Sequence, residues 1–400
     1  MIIIGPLYKK AHAIATAERQ KVVCRLWGFH ALMSFLGSVG TLMKGSGIEE
    51  LFEIEYSPPV VTHMLTGKAV YRSLRAHMMT QSALISILLK SAGVKVDFLK
   101  PLYEKALQRV LTQEDIDEVA STSVLDDMYG KLQLQREELE KKSRTAKLWF
   151  KYIDYVKIAK DFIAAERISN WELHLEWFSK MLNIFAATGH GNYAKCGRVY
   201  LQEMRSLPQN HPELYGELKK GRNFVRRTEK RWAGLWTDLT IEQTLMLDVK
   251  SVGGLTGGRG MGDEVRLRWS LSLGCCAFVH RSLMDLTDNA AKTQHHVETR
   301  DSRKQVDFEH TTDFYNWLDA RNPFLISSQN LHSLSSGIVS ISSQDDVNCE
   351  QVEQIGERIQ KSFDNKSYTD CCIKRLLKHS AQTNSAQTLA HVEEWGYRAF

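Results

Sequence analysis

With 400 residues, of which 43% are apolar and 25% charged, the chain can bury a sizeable core, is expected to form two or three domains, and lacks the composition of a disordered protein. Its formal charge of +5 permits a polyanionic partner without requiring one. No run approaches the roughly 18 to 20 apolar residues that cross a bilayer, and the mean hydropathy is −0.31, so a soluble chain without a membrane partner is expected.

The first residues, MIII, meet Gly5-Pro6 too soon for a secretory core, and no basic segment precedes them. Seven scattered cysteines, with vicinal pairs at Cys275-Cys276 and Cys371-Cys372, do not read as a secreted disulfide framework. A reducing, intracellular compartment follows, nuclear or cytoplasmic. Cys276 and His280 are four apart, a single ligand pair that falls short of a zinc site, so core cysteines are the default.

Val22 to Leu26 reads as a short strand running into Trp27-Gly28-Phe29-His30, after which Leu32, Met33, Leu36 and Val39 recur at helical spacing. Gly45-Ser46-Gly47 ends that helix, Pro58-Pro59 interrupts the next, and His63 to Lys90 reads as one long helix. From Pro101 to Glu140 the chain is strongly polar, with Glu114, Asp115, Asp117 and Glu118 clustered. It predicts a solvated helical connector or loop.

Trp149, Tyr152, Ile153, Val156, Ala159 and Ile163 form one apolar stripe, and Trp171, His174, Leu175, Phe178, Leu182 and Phe185 form another. His174 shares the apolar face with Trp171, where a hydrogen-bonded buried histidine is favoured over a ligand. After Gly189-His190-Gly191 a further helix passes Tyr200 and Met204 and is expected to end before Pro208. No repeat of 20 to 50 residues is visible.

Phe224 to Gly262 is the most unusual segment. Arg226, Arg227, Lys230 and Arg231 are interleaved with Trp232 and Trp236, a composition suited to phosphate contacts and base stacking, or to a solvated basic face with its tryptophans in the core. Asp238 or Thr240, the latter with Gln243 at capping-box spacing, is expected to cap a helix that ends at Gly253-Gly254. Glu242 falls in its first turn with Asp238 four residues earlier, so the two carboxylates could share a magnesium ion if the turn extends back. The glycines of GGLTGGRG resemble a phosphate cradle but lack the P-loop ending. Beyond Asp288 the chain is polar and serine-rich, with solvated His295-His296 and a short amphipathic helix near Val352 to Phe363, and is expected to be partly ordered.

VCRLWGFHALMSFLGSVG, GSGI, HMLTGKAVYRSLRAH, NWELHLEWFSKML, ATGHGNYAKCGRVYLQEM, WTDLTIEQTLMLDVKSVGGLTGGRG and ARNPF occur in this order. The series resembles a eukaryotic transposon-derived family of unassigned function with a ribonuclease-H-like, hAT-related transposase core, over Ile4 to about residue 360. The resemblance implies a mainly α fold in which a helical domain joins a partial α/β ribonuclease-H-like core. The segments expected are 1–95 (partial core and following helices), 96–237 (helical insertion), 238–290 (late core helix and glycine-rich segment) and 291–400 (polar C-terminal segment).

Such transposases hold two magnesium ions on three carboxylates, and the third maps onto Glu242. His30 matches the histidine of a Gly-Phe-His block, with Trp27 in place of the first of two glycines. Where the family carries Asp-Gln ahead of the proline, this chain has Ile4 and Gly5. The chain therefore reads as beginning at about the fourth core strand, N-terminally truncated, with two of three carboxylates absent and no transposition expected. Two functions stand. One is a non-catalytic protein that binds DNA through Arg226, Arg227, Lys230, Arg231 and Trp232, or binds a protein partner or a second copy, without a small-molecule cofactor. The other is a divergent magnesium-dependent nuclease using Asp238 and Glu242.

Overall fold

The computed structural model describes residues 23–26, 28–94, 97–107, 112–241 and 301–337 except 327 and 329, together with Ile2–Ile3, Tyr8, His12 and isolated positions between 264 and 283. In chain order the elements are β1 (Ile2–Ile3), β2 (Arg25–Leu26), α1 (Gly28–Met43), α2 (Ile48–Glu53), α3 (Pro58–Leu65), α4 (Val70–Ser91), α5 (Lys100–Leu107), α6 (Gln113–Ala120) and α7 (Ser123–Lys142). There follow α8 (Arg144–Arg167), α9 (Trp171–Ala187), α10 (Gly191–Asn210), α11 (Pro212–Lys219), β3 (Val225–Arg226), β4 (Gly234–Leu235), α12 (Thr237–Ile241) and α13 (Asp301–Ala320). The protein is mainly helical. β1 pairs in parallel with β2, Ile2 opposite Arg25 and Ile3 opposite Leu26, and β2 runs into α1 as the sequence predicts.

Three expectations need correction. His63 to Lys90 is not one helix, because α3 stops at Leu65 and α4 starts at Val70; Gly67 between them has φ 76, a left-handed conformation no helix interior accommodates. α10 does not end before Pro208 but carries it in its last turn, where the missing amide donor costs one bond and only two more residues of helix follow. Neither Asp238 nor Thr240 is the N-cap of its own helix, since α12 already begins at Thr237 and the Thr240 hydroxyl donates to the Trp236 carbonyl at 2.8 Å. The polar region beyond Pro101 takes the helical form. Thr112 and Asp115 close a reciprocal capping box on α6, and α7 buries none of its residues.

The chain divides into two compact units, one of residues 1–34, 161–297 and 351–400, the other of 35–160 and 298–350. In the second unit α4 packs along α13. Phe52 stacks on Phe314 with ring centroids 6.1 Å apart, and His77 lies edge-on to Phe52 at 5.2 Å. Arg75 reaches Asp307 at 3.2 Å, Lys90 reaches Asp319 at 2.8 Å, and His310 meets Glu55 at 2.9 Å. Phe324 of the ARNPF block packs on Phe150 at 4.8 Å, and the Leu334 amide donates to the Ser46 carbonyl. In the first unit α9 packs against α10, and α10 against α11. Their shared core holds Trp171, Phe178, Met181, Phe185, Tyr200 and Met204.

Close backbone approach makes Gly40 irreplaceable: a Cβ there would run into the Leu65 carbonyl. Gly130 in α7, by contrast, has nothing within 4 Å of that position. Gly40→Ala is expected to cost about 1–3 kcal/mol, whereas Gly130→Ala gains about 0.5–1 kcal/mol by helix propensity. Urea unfolding of both variants checks the opposite signs.

His77 is 1% exposed, with Nδ1 2.8 Å from the Tyr152 hydroxyl, and burial pushes its pKa from 6.5 down to about 3. The unfolded ring therefore binds a proton at a pH where the folded ring does not. The stability contributed by the neutral ring is complete above pH 6.5 and is lost as pH falls toward 3. Within that window His77→Phe is expected to reduce the slope of unfolding free energy against pH by about 1.4 kcal/mol per unit, measured by urea titrations at several pH values.

Candidate functional site

The basic segment folds as a hairpin. β3 and β4 pair antiparallel, Val225 opposite Leu235 and Arg226 opposite Gly234, and the Arg227 amide donates to the Ala233 carbonyl at 3.0 Å. Gly234 is required because a Cβ would collide with the backbone carbonyl of Glu166, and the Arg167 guanidinium donates to the Gly234 carbonyl at 3.0 Å. Arg226 is turned inward: Nη1 donates to Ser169 Oγ at 2.7 Å and Nη2 to the Lys230 carbonyl at 2.6 Å. It holds the hairpin closed. Arg227, Lys230, Arg231 and Trp232 lie on the outside, with Trp232 61% exposed. Trp236 has the opposite fate, 5% exposed and packed on Phe29 and Phe162 with centroids 5.9 and 6.0 Å away.

At the foot of the hairpin is a cavity of about 500 Å³ lined by residues 168–172, Lys219, Lys220, Arg226 and Arg231. Asn170 caps α9, its side chain accepting the Leu173 amide at 3.0 Å. Glu172 takes Lys219 at 3.1 Å and the Tyr215 hydroxyl at 3.0 Å, which hold its carboxyl below the usual range. Lys220 reaches Glu217 at 2.9 Å, and Arg222 pairs with the same carboxylate.

Behind the hairpin lies a buried charge cluster. Glu166, 2% exposed, faces His174 Nδ1 at 2.6 Å and Arg25 Nη2 at 3.4 Å. The other ring nitrogen, His174 Nε2, lies 3.1 Å from the Tyr200 hydroxyl. Arg25 donates from Nη1 to the Asn223 carbonyl at 2.6 Å and stacks over Phe224 at 4.8 Å. Burial pushes the His174 pKa down while Glu166 opposes it, and burial raises the Tyr200 phenol. A second group, Tyr8 and His12 on Glu203, lies against the same helix α10. With His174 and Tyr200 at most 1% exposed, the cluster has no open face for a substrate; it positions the hairpin. Sequence periodicity finds His174 but misses Arg25, Glu166 and Tyr200 as its partners, because their separations leave no local pattern.

Two further predicted residues meet. Asp238, 1% exposed, accepts the His30 amide at 3.1 Å on the same Oδ2 that lies 3.0 Å from His30 Nδ1. It therefore caps α1, from a distant part of the chain. Gly28 at the start of α1 has no room for a side chain: a Cβ would stand 2.8 Å from Glu166 Oε1 and 3.3 Å from the Trp236 ring. Glu242, Gly253 and Gly254, with Cys276, His280, His295 and His296, lie outside the described residues. Among the described residues no group of three or more His, Cys, Asp or Glu side chains is placed to hold a metal ion, and no helix is long and apolar enough to cross a membrane.

Asp238→Ala removes the acceptor of the His30 amide and the partner of its ring Nδ1 and is expected to destabilise the protein by about 1–3 kcal/mol. Asp238→Asn, which keeps one acceptor oxygen, should lose less. Thermal and urea unfolding of the pair measures the difference.

No curated protein matches the chain, and no solved structure does. A family model described as a domain of unknown function, DUF8702, matches residues 3–394, nearly the whole chain, and the protein belongs to that family.

Proposed function

We propose that this protein binds nucleic acid, single strands above all, through the 225–235 hairpin, and that it is a transposon-derived, non-catalytic member of the lineage its sequence resembles. The observation that carries the reading is the exposed Trp232 on a hairpin flanked by the exposed cations Arg227, Lys230 and Arg231. A large indole facing water beside several positive charges is what base stacking with backbone neutralisation needs.

The parallel pairing of β1 with β2 and the passage of β2 into α1 supports a ribonuclease-H-like origin, since such a core is built from strands feeding helices. The carboxylates argue for binding without cleavage. Ile4 and Gly5 stand where the resembled family carries an acid, and Asp238 is occupied in capping α1.

Fluorescence anisotropy with a labelled single-stranded DNA across a salt series tests this. Arg227→Gln with Lys230→Gln and Arg231→Gln should flatten the slope of log K against log salt by about 2, at roughly 0.7 for each phosphate that is no longer neutralised. Trp232→Ala should weaken binding by about 1–3 kcal/mol while changing the slope little. Binding that ignores salt and both sets of substitutions would overturn the proposal.

A further inference from the structure

We infer that Ser169 is held in a left-handed conformation for the sake of its hydroxyl, which latches Arg226 and so sets the hairpin in the form that presents Trp232 and the outer cations. Ser169 is a positioning residue, and the consequence for binding rests on the nucleic-acid reading.

The backbone carries the first half of the argument. α8 ends in a paired closure in which the Asn170 amide donates to the Ala165 carbonyl at 2.9 Å and the Ser169 amide to the Glu166 carbonyl at 3.2 Å. That closure requires a left-handed residue at the position of Ser169, and glycine is the residue that takes it without strain. α3, α4 and α11 close with the same two bonds, and there the residue is Gly67, Gly93 or Gly221, at φ 76, 62 and 77. α8 places a serine at φ 58, and among the described residues it is the one non-glycine residue with a positive φ. A side chain kept where it strains the backbone points to a task for that side chain.

The contacts of the hydroxyl supply the task. Ser169 is 6% exposed, and its Oγ accepts Arg226 Nη1 at 2.7 Å, while Nη2 of the same guanidinium donates to the Lys230 carbonyl at 2.6 Å. A glycine could not offer that acceptor. The planar fork of the arginine therefore ties the turn of the hairpin to the end of α8, one residue before Arg231 and two before Trp232. The acceptor itself is fixed from both sides, since Asn170, the next residue, caps α9, and Gly221 packs so close that a Cβ on it would stand 2.9 Å from the Ser169 carbonyl oxygen. With only two residues paired on each strand, the hairpin depends on such outside holds for its closed form.

Amide hydrogen exchange on the full chain tests the latch directly. Ser169→Gly removes the strain and the hydroxyl together. Protection of the Arg227 amide, which the closed hairpin ties to the Ala233 carbonyl, should fall about tenfold, as for the loss of one hydrogen bond to a charged group, whereas the Asn170 amide at the end of α8 should keep its protection or gain. A residue that only closed the helix would leave Arg227 as in the wild type, and that result overturns the inference. Thermal unfolding adds a second arm. With Arg226→Met in place, Ser169→Gly should raise the melting temperature, because strain is relieved and no guanidinium contact is lost; in the wild-type background it should raise it less or lower it. An equal rise in the two backgrounds also overturns the latch.

Fluorescence anisotropy with the labelled single-stranded DNA reads the consequence. Ser169→Gly should weaken binding and leave the salt slope as in the wild type, since no cation is removed. If the wild type binds no DNA, the nucleic-acid reading falls while exchange and melting still decide the latch. If DNA binds the wild type and Ser169→Gly equally although Arg227 has lost its protection, the latch has no part in binding and its functional role is overturned.

Discussion

A carboxylate buried to 2% exposure cannot stand alone, and the first unit is arranged around the one at Glu166. Its desolvation is offset by His174 from α9 and Arg25 from β2. Arg25 extends the same constraint to the Asn223 carbonyl, two residues before the hairpin begins. The backbone of Glu166 acts as well, since its carbonyl leaves space only for a glycine at position 234. One residue thus fixes β2, α9 and both strands of the hairpin relative to one another. Buried charge clusters add little net stability, but breaking one member costs several kcal/mol.

That constraint explains how a two-residue pairing on each side can hold a long basic turn. β3 and β4 are too short to be stable by themselves. They are held from outside: Arg167 on the Gly234 carbonyl, Arg226 on Ser169 and on the turn's own Lys230 carbonyl. Arg226 is therefore used as a brace, although by residue type and position it belongs with the basic residues that read as phosphate contacts. The exposed cations beside it are left to the surface.

What the sequence reveals follows from what periodicity measures. The apolar stripes of α8, α9 and α10 and the passage of β2 into α1 are visible because their signal is local and repeated. The division between α3 and α4 depends on one glycine at φ 76, and the hairpin on strands too short to show alternation, so both are missed. Trp232 and Trp236 are four apart, and no residue-level rule tells the exposed one from the buried one; the difference lies in which side of β4 the chain has reached. Glu166 sits at the end of a helix where a charged residue ordinarily reads as solvated, and its partner Arg25 is 141 positions away. Long-range charge pairing is not legible in a single sequence.

Asp238 and His30 make the same point from the chemical side. A carboxylate and an imidazole in blocks that resemble a transposase core invite a catalytic reading, yet here both contacts of the pair converge on one oxygen, Asp238 Oδ2, at the N-terminus of α1. An acid buried to 1% exposure and engaged by an amide and a ring nitrogen is best used as a fixed anchor. Trp236, two residues earlier, packs on Phe29, so the segment leaving the hairpin is tied to the start of α1 by an apolar contact and a polar one. The hairpin's outer face is consequently carried on a base held at β2, α8, α9 and α1. In the proposed nucleic-acid reading, its cations and Trp232 would meet a polyanion without ordering the base at the same time, which would lower the entropic cost of association.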